Sequence, residues 1–151
     1  MRFAPADLDH PAVVALLEHH VREAHRNSPP GSVFALDLSG LRAPDIRLWS
    51  VWDGETLLGL GAWKALDEGD AELKSMRTAP GYERKGVGKA MLAHLIADAR
   101  AAGMTRVLLE TGTNAAFAPA RAMYEAAGFQ PAGAFGDYDL TDFNRCYALA
   151  I

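Results

Sequence analysis

The stretch Pro80-Gly81-Tyr82-Glu83-Arg84-Lys85-Gly86-Val87-Gly88-Lys89 is the most informative part of this 151-residue chain. It lies between a segment with the pattern of a strand and a segment with the pattern of a helix. Gly86 and Gly88 allow a ligand to approach the backbone closely. The N–H groups and the positive dipole at a helix start favour a pyrophosphate, and Arg84, Lys85 and Lys89 add positive charge there. The stretch therefore predicts a diphosphate-binding loop.

Two common phosphate-binding loops do not match this pattern. A Walker A loop requires glycine at position 83 and serine or threonine at position 90, where this chain has Glu83 and Ala90. A Rossmann fingerprint requires a third glycine at position 91, which is Met91. For an isolated Gly-x-Gly, a basic loop in solvent is usually the better explanation, so the phosphate-binding interpretation depends on the rest of the chain.

The segments before the loop predict one helix and three antiparallel strands. The helix is expected over Pro11 to Arg26 with Asp9 as its N-cap, and a short helix and a loop are expected between Ser32 and Pro44. In the second strand, Gly59 and Gly61 indicate bends or a bulge. The predicted strands are Ile46 to Trp52, Thr56 to Leu66 and Ala71 to Thr78.

The segments after the loop alternate between helix and strand. A helix containing Val87 and Met91 is expected to end at Gly103. A strand, a helix and a last strand follow at Thr105 to Thr111, Ala118 to Ala127 and Arg145 to Ala150. We therefore predict one mixed α/β domain over residues 1–151, with helices flanking a central sheet.

Composition narrows the functional class. The formal net charge of −4 argues against nucleic acid as a partner, because a phosphate backbone requires a basic face. The one cysteine, Cys146, has no internal disulfide partner. No segment resembles a signal peptide or reaches the ~20 apolar residues of a membrane span. These features predict a cytoplasmic protein with no membrane partner.

Two motifs in this order carry a family resemblance. The first is Leu73 to Thr78 followed by Glu83-Arg84-Lys85-Gly86-Val87-Gly88, and the second is Ala122-Met123-Tyr124-Glu125-Ala126-Ala127-Gly128-Phe129. Together they resemble the GNAT superfamily of N-acetyltransferases, and within it the small bacterial YsnE-like enzymes. Supporting stretches are Ala35 to Leu38, Glu110 to Gly112, Phe117 to Arg121 and Phe135 to Tyr138.

The resemblance implies a GNAT-like, mostly antiparallel twisted sheet with two splayed strands. It also implies transfer of an acetyl group from acetyl-CoA to the amine of a small molecule. A protein acceptor, or a non-catalytic acyl-CoA-binding regulatory domain, stays open as an alternative. Tyr124 and Glu72 favour an enzyme over the non-catalytic domain. A nucleotide-binding module or a purely structural domain explains the two motifs less well.

The resemblance also assigns residues to the donor. The pantetheine arm is expected between the splayed strands, paired with backbone at Met76 and Thr78, and Asn114 is expected to contact the cofactor or to form a loop turn. Arg121 suits a CoA phosphate and a surface position equally well. The predicted cofactor-binding residues are Met76, Arg77, Thr78, Arg84, Lys85, Gly86, Val87, Gly88, Lys89, Asn114 and Tyr124.

Two residues match catalytic positions of the family. Tyr124 corresponds to the tyrosine that protonates the leaving thiolate, and an ordinary phenol keeps its proton at neutral pH. Glu72 lies where some members carry a base, although a solvent-exposed carboxylate on an edge strand, or an ordered water acting as the base, is an equal alternative. The chain departs from the family pattern at two positions. Glu83 replaces the usual Arg or Gln and is expected to point away from the phosphate groups. Phe34 replaces a histidine found in some YsnE-like relatives.

The acceptor site has weaker signals. Asp137, Asp139 and Asp142 lie among aromatic residues and suit a cationic amine, although a solvated turn is as good an explanation. The histidine-rich helix face formed by His19, His20, Glu23 and His25 lacks the spacing of a metal site, so no metal is predicted. A homodimer is compatible with an exposed strand edge.

Overall fold

A computed structural model of the protein describes residues 1–31 and 36–151, arranged around one seven-stranded sheet. The strand order is β1-β2-β3-β4-β5-β7-β6, and β4 and β5 form the one parallel pair in the described residues. The strands are β1 Arg2–Pro5, β2 Ile46–Asp53, β3 Thr56–Ala65, β4 Asp70–Thr78, β5 Arg106–Gly112, β6 Gln130–Ala132 and β7 Asn144–Ala150. The predicted mixed α/β sheet, mostly antiparallel and flanked by helices, is confirmed.

Helices cover both faces of the sheet. Helices α1 Pro11–Arg26 and α2 Leu38–Leu41 lie on one face, where Val13, Leu16 and Leu17 pack against β2 and β3. Helices α3 Val87–Ala101 and α4 Ala118–Ala126 lie on the other, where Met91 and Leu95 of α3 pack against β3 and β4. In each core, apolar side chains at helical spacing on the helices pack against apolar side chains at alternating positions on the strands.

The sequence-based prediction missed two short strands and assigned one helix N-cap to the wrong residue. Strands β1 and β6 have only four and three residues, too short to show an alternating pattern, and they form by pairing with β2 and β7. The N-cap of α1 is His10, whose Nδ1 accepts from the Ala12 N–H at 3.1 Å. Asp9 instead forms an ion pair with Arg42 at 2.9 Å.

A bulge in β4 shapes the site. Leu60 pairs with Arg77 and Ala62 pairs with Lys74, so Ser75 and Met76 both lie opposite Gly61. Ser75 has a φ of 54°, which bends the strand locally. The predicted irregularity at Gly61 is therefore present, with the extra residue on the neighbouring strand. Strand β4 pairs with β5 only from Asp70 to Glu72, and the two strands separate beyond that point.

The predicted short helix between Ser32 and Pro44 is found at Leu38–Leu41. Ser32, Phe34 and Ala35, on which sequence-based expectations fall, lie outside the described residues. Within the described ranges, no helix combines the length and apolar character needed to cross a bilayer.

Candidate active site

Two cavities meet where β4 and β5 separate. A cavity of about 510 Å³ extends along the loop before α3, and a cavity of about 230 Å³ lies between the splayed strands and the end of α1. Five residues border both cavities and mark the junction: Met76, Arg77, Ala116, Ala120 and Tyr124. The splayed strands implied by the resemblance are thus present, and the two cavities lie side by side along these five residues.

The larger cavity is bordered by the predicted phosphate loop. Gly86 is the N-cap of α3 with a φ of 83°, so a residue with a side chain would be strained there. A Cβ atom on Gly88 would lie 3.2 Å from Met123 Sδ, so glycine keeps the backbone open. Of the predicted donor residues, this cavity is bordered by Met76, Arg77, Thr78, Arg84, Gly86, Val87, Gly88, Lys89 and Tyr124.

Two predicted donor residues do not border this cavity. Lys85 is exposed and its Nζ lies over the Tyr82 ring, 5.4 Å from the ring centroid. Asn114 caps the turn Ala115–Phe117 through its Oδ1, which accepts from the Ala116 N–H at 3.1 Å, and its Nδ2 donates to the Asn27 carbonyl. Asn114 therefore forms the loop turn that the sequence offered as the alternative, and it joins β5 to the end of α1.

Glu83 folds back onto its own loop. Its Oε2 accepts from the Gly81 N–H at 2.8 Å, and hydrogen bonds from backbone N–H groups hold the pKa of the Glu83 carboxyl below its usual range. The carboxylate is exposed and charged, and the residue borders the larger cavity. Loop N–H groups, rather than a side chain at position 83, are thus available to a diphosphate.

Tyr124 projects from α4 to the junction of the cavities. It is 6 % exposed, and its ring packs edge-on against Phe129 with centroids 5.7 Å apart. Burial raises the pKa of Tyr124 to about 12, with Arg77 opposing the shift. The phenol therefore keeps its proton at neutral pH, as a proton donor must.

Glu72 is buried within the sheet rather than exposed at an edge. It lies on the central strand β4 and is 5 % exposed, so the alternative of a solvated edge-strand carboxylate is wrong. Its Oε2 accepts from Tyr138 Oη at 2.5 Å and forms an ion pair with Lys74 Nζ at 3.3 Å. Tyr138 and Lys74 border the smaller cavity and Glu72 does not. Glu72 thus holds two side chains of the cavity wall.

Glu110 is the carboxylate that borders the smaller cavity, although the sequence predicted no catalytic or binding role for it. Burial raises the pKa of the Glu110 carboxyl, and the neighbouring Glu72 adds to the rise, while Asn144 and Lys74 oppose it. Asn144 Nδ2 donates to Glu110 Oε2 at 3.3 Å. A charged residue within the apolar run Val107 to Thr111 was the available signal, because such a residue faces a polar space in a buried strand.

Arg77 and His20 form a pair beside the junction. Arg77 Nε donates to His20 Nδ1 at 3.1 Å, and both residues border the smaller cavity. Burial first, and then Arg77 and His19, lower the pKa of His20 to about 4. His20 is therefore neutral at physiological pH and accepts from Arg77.

Arg121 does not border either cavity and instead holds the loop after β5. Its Nη1 donates to the carbonyls of Gly112 and Asn114 at 2.8 and 3.0 Å.

The lowered pKa of His20 predicts a loss of stability in mild acid. The unfolded chain binds a proton on His20 near pH 6.5 and the folded chain only near pH 4, so acidification across this window favours unfolding. We expect the unfolding free energy of the wild type, relative to His20→Gln, to fall by about 2 kcal/mol between pH 7 and pH 4.5. Urea unfolding at both pH values measures this difference. Parallel pH curves for the two proteins would contradict it.

The loop that was predicted to bind the acceptor through its aspartates contributes aromatic residues to the site instead. Tyr138 and Phe143 border the smaller cavity, but Asp137, Asp139 and Asp142 do not. The three carboxylates are exposed, and Asp142 borders a separate depression beside β7. The hypothesis that these aspartates bind a cationic acceptor therefore has no support in the geometry.

The chain is similar to known acetyltransferases. The model of the acetyltransferase (GNAT) family matches residues 13–129. The uncharacterized N-acetyltransferase YedL of Escherichia coli is 45% identical over 96% of this chain and 91% of its own, and the uncharacterized N-acetyltransferase YsnE of Bacillus subtilis is 47% identical over 87% of each. The crystal structure of a Bacillus subtilis acetyltransferase in complex with CoA shares the fold, with a TM-score of 0.69 at 13% identity over 99% of this chain and 98% of that one. The chain belongs to the GNAT family and is an acyl-CoA-dependent acetyltransferase.

Proposed function

We propose that this enzyme moves an acetyl group from acetyl-CoA to a primary amine of a small molecule by direct attack. The observation that carries the proposal is the position of Tyr124 at the junction of two cavities. One cavity has a glycine loop at a helix start, which suits a pyrophosphate. The other has a partly buried carboxylate, which suits an amine that has to lose a proton.

The donor fits the space between the splayed strands. Beyond Glu72, β4 no longer pairs with β5, so the backbone there is available to the amide groups of a pantetheine arm. Gly59 keeps this region open, since a Cβ atom there would lie 3.0 Å from the Arg77 carbonyl and from Val87 Cγ1. A solved structure of the same fold in complex with CoA supports this assignment.

The size of the second cavity favours a small acceptor. Its volume of about 230 Å³ is below the usual range of about 300–1,000 Å³ for sites that hold drug-sized ligands. Tyr138 and Phe143 border it on the side of the loop before β7. A peptide chain would have to reach the junction past these aromatic side chains, so a protein acceptor is the less favoured alternative.

The proposed chemistry assigns one proton to each of two residues. Glu110 accepts a proton from the ammonium group, directly or through one water, and the free amine attacks the thioester carbonyl carbon. The new C–N bond forms, the C–S bond breaks, and Tyr124 gives its proton to the leaving thiolate. The attacking nitrogen loses its second proton as the amide forms, and this proton returns to the Tyr124 phenolate, directly or through one water. Glu72 was predicted as the base, but in this proposal it positions Tyr138 and Lys74 instead, because it does not border the cavity.

The test is release of CoA from acetyl-CoA with a panel of small amines and amino acids. We expect turnover on at least one amine, and a loss of kcat of about ten-fold or more in Tyr124→Phe, because general acid catalysis is typically worth about 10²–10⁴-fold. The matched control is Tyr82→Phe, since Tyr82 lies in the phosphate loop and borders neither cavity. Turnover restricted to a protein or peptide amine would overturn the small-molecule assignment, and full activity in Tyr124→Phe would overturn the acid role.

A further inference from the structure

Arg77 is a partly buried cation, and only one of its three guanidinium nitrogens has a hydrogen-bond partner among the described residues. Its Nε donates to His20, and the side chain borders both cavities. Among residues 1–31 and 36–151, the two terminal nitrogens of Arg77 make no hydrogen bond and no ion pair within 4.0 Å. Burial lowers the pKa of Arg77, which means that the surroundings do not fully replace the water lost by the guanidinium. Such a group gains strongly from an anionic ligand.

The two acidic residues that act on the charge of Arg77 have other partners. Glu23 and Glu83 both raise the pKa of Arg77 through space. Glu23 accepts from Asn27 Nδ2 at 3.3 Å and forms an ion pair with Arg26 at 3.7 Å, while Glu83 accepts from the Gly81 N–H. Neither carboxylate lies within ion-pair distance of Arg77, so the terminal nitrogens are left for a ligand.

His20 fixes the direction of the guanidinium. A neutral imidazole that accepts at Nδ1 carries its proton on Nε2, so it holds Arg77 without adding a second positive charge. The pKa of His20, lowered to about 4, keeps the imidazole neutral across physiological pH. A guanidinium oriented in this way is organised for two parallel hydrogen bonds to a carboxylate.

The smaller cavity contains a second unused polar group. Ser75 is 7 % exposed, borders the cavity, and its hydroxyl has no hydrogen-bond partner among the described residues. Glu110 provides the one carboxylate that borders this cavity in the described chain. The cavity therefore offers a carboxylate for an amine together with a cation and a hydroxyl for an anion.

We propose that the acceptor carries a carboxylate in addition to its primary amine, as an amino acid does, and that Arg77 binds this carboxylate. The inference rests on the proposed function and names the substrate class for the same site. It differs from the donor role that the sequence suggested for Arg77, in which the residue would contribute to binding of acetyl-CoA.

The test compares L-amino acids with their primary amides, which keep the amine and lose the negative charge. We expect the wild type to prefer the free acid by about 30-fold or more in kcat/KM, because a site built for a charged group discriminates strongly against an analogue that lacks it. In Arg77→Gln, kcat/KM for the acid should fall by about the same factor, mostly through KM, while kcat/KM for the amide stays unchanged. The KM for acetyl-CoA, whose cavity Arg77 also borders, should change far less than the KM for the acid.

The control variant is Arg100→Gln, which removes an exposed arginine near the end of α3 that borders neither cavity. It should keep the wild-type preference. If Arg77→Gln lowers kcat/KM for the acid and for the amide equally, or raises the KM for acetyl-CoA as much as the KM for the acid, the inference is wrong.

A binding measurement separates this inference from the proposed function. Calorimetry with the CoA-loaded protein should detect N-acetylated amino acids binding to the wild type at least ten-fold more tightly than to Arg77→Gln. If no amine is acetylated, the proposed function is wrong, and this binding difference still supports a carboxylate site at Arg77. Equal binding to both proteins, or no binding to either, overturns the carboxylate site even if amines are acetylated.

Discussion

Replacing Glu110 with glutamine is expected to lower kcat by about 10²–10³-fold, because the variant keeps the shape of the side chain and loses the ability to accept a proton. Burial raises the pKa of the Glu110 carboxyl, which makes it a stronger base than an exposed glutamate. The KM for acetyl-CoA should not change, because Glu110 borders only the smaller cavity. Steady-state kinetics with a reactive amine provide the measurement.

Glu72→Gln is the matched comparison, because both carboxylates lie in neighbouring central strands. Glu72 accepts from Tyr138 and pairs with Lys74 behind the cavity wall, so its loss should raise the KM for the acceptor and reduce kcat far less than Glu110→Gln does. In the wild type, kcat should rise with pH through the pKa of Glu110, and this rise should disappear in Glu110→Gln. A larger loss of kcat in Glu72→Gln, with the pH profile kept in Glu110→Gln, would restore Glu72 as the base.

The donor side of the site could be predicted because it is encoded locally. The loop from Arg84 to Lys89 and the tyrosine of α4 belong to contiguous motifs, and a continuous stretch of backbone forms the loop. The regular strands and helices could be predicted for the same reason, since each shows its own period over seven residues or more. The short strands β1 and β6 could not be predicted, because they form through pairing with β2 and β7 and show no pattern of their own.

The acceptor side could not be predicted, because its contacts join distant segments. Glu72 and Tyr138 are 66 positions apart in the chain, and Arg77 and His20 are 57 apart. Period-two alternation places Glu72 and Lys74 on one face of β4, but it does not show which residue borders a cavity. That depends on Tyr138, whose loop is placed by the pairing of β6 with β7. For the same reason, the sequence could not show that Asp137 and Asp139 lie outside the border of the smaller cavity.

Replacing Gly61 with valine is expected to destabilise the fold by more than about 3 kcal/mol, because overpacking by even one methylene typically costs about 1–3 kcal/mol. A Cβ atom on Gly61 would lie 2.7 Å from Met91 Cγ, 2.8 Å from Met76 Sδ and 2.9 Å from Leu95 Cδ1. Met91 and Leu95 are 1% and 0% exposed, so relieving these contacts requires buried side chains to shift. Gly61→Ala should therefore already cost about 1–3 kcal/mol.

The control for this prediction is Gly133→Val, since a Cβ atom on Gly133 meets nothing within 4 Å. Its unfolding free energy should stay within about 0.5 kcal/mol of the wild type, as for most surface changes. Urea unfolding of the three variants measures the changes in unfolding free energy, and an unchanged value for Gly61→Val would contradict the prediction by showing that α3 and the sheet can separate easily.

The same clash has a functional consequence, because α3 begins in the phosphate loop. Gly61→Ala, which should remain folded, is therefore expected to raise the KM for acetyl-CoA along with its loss of stability.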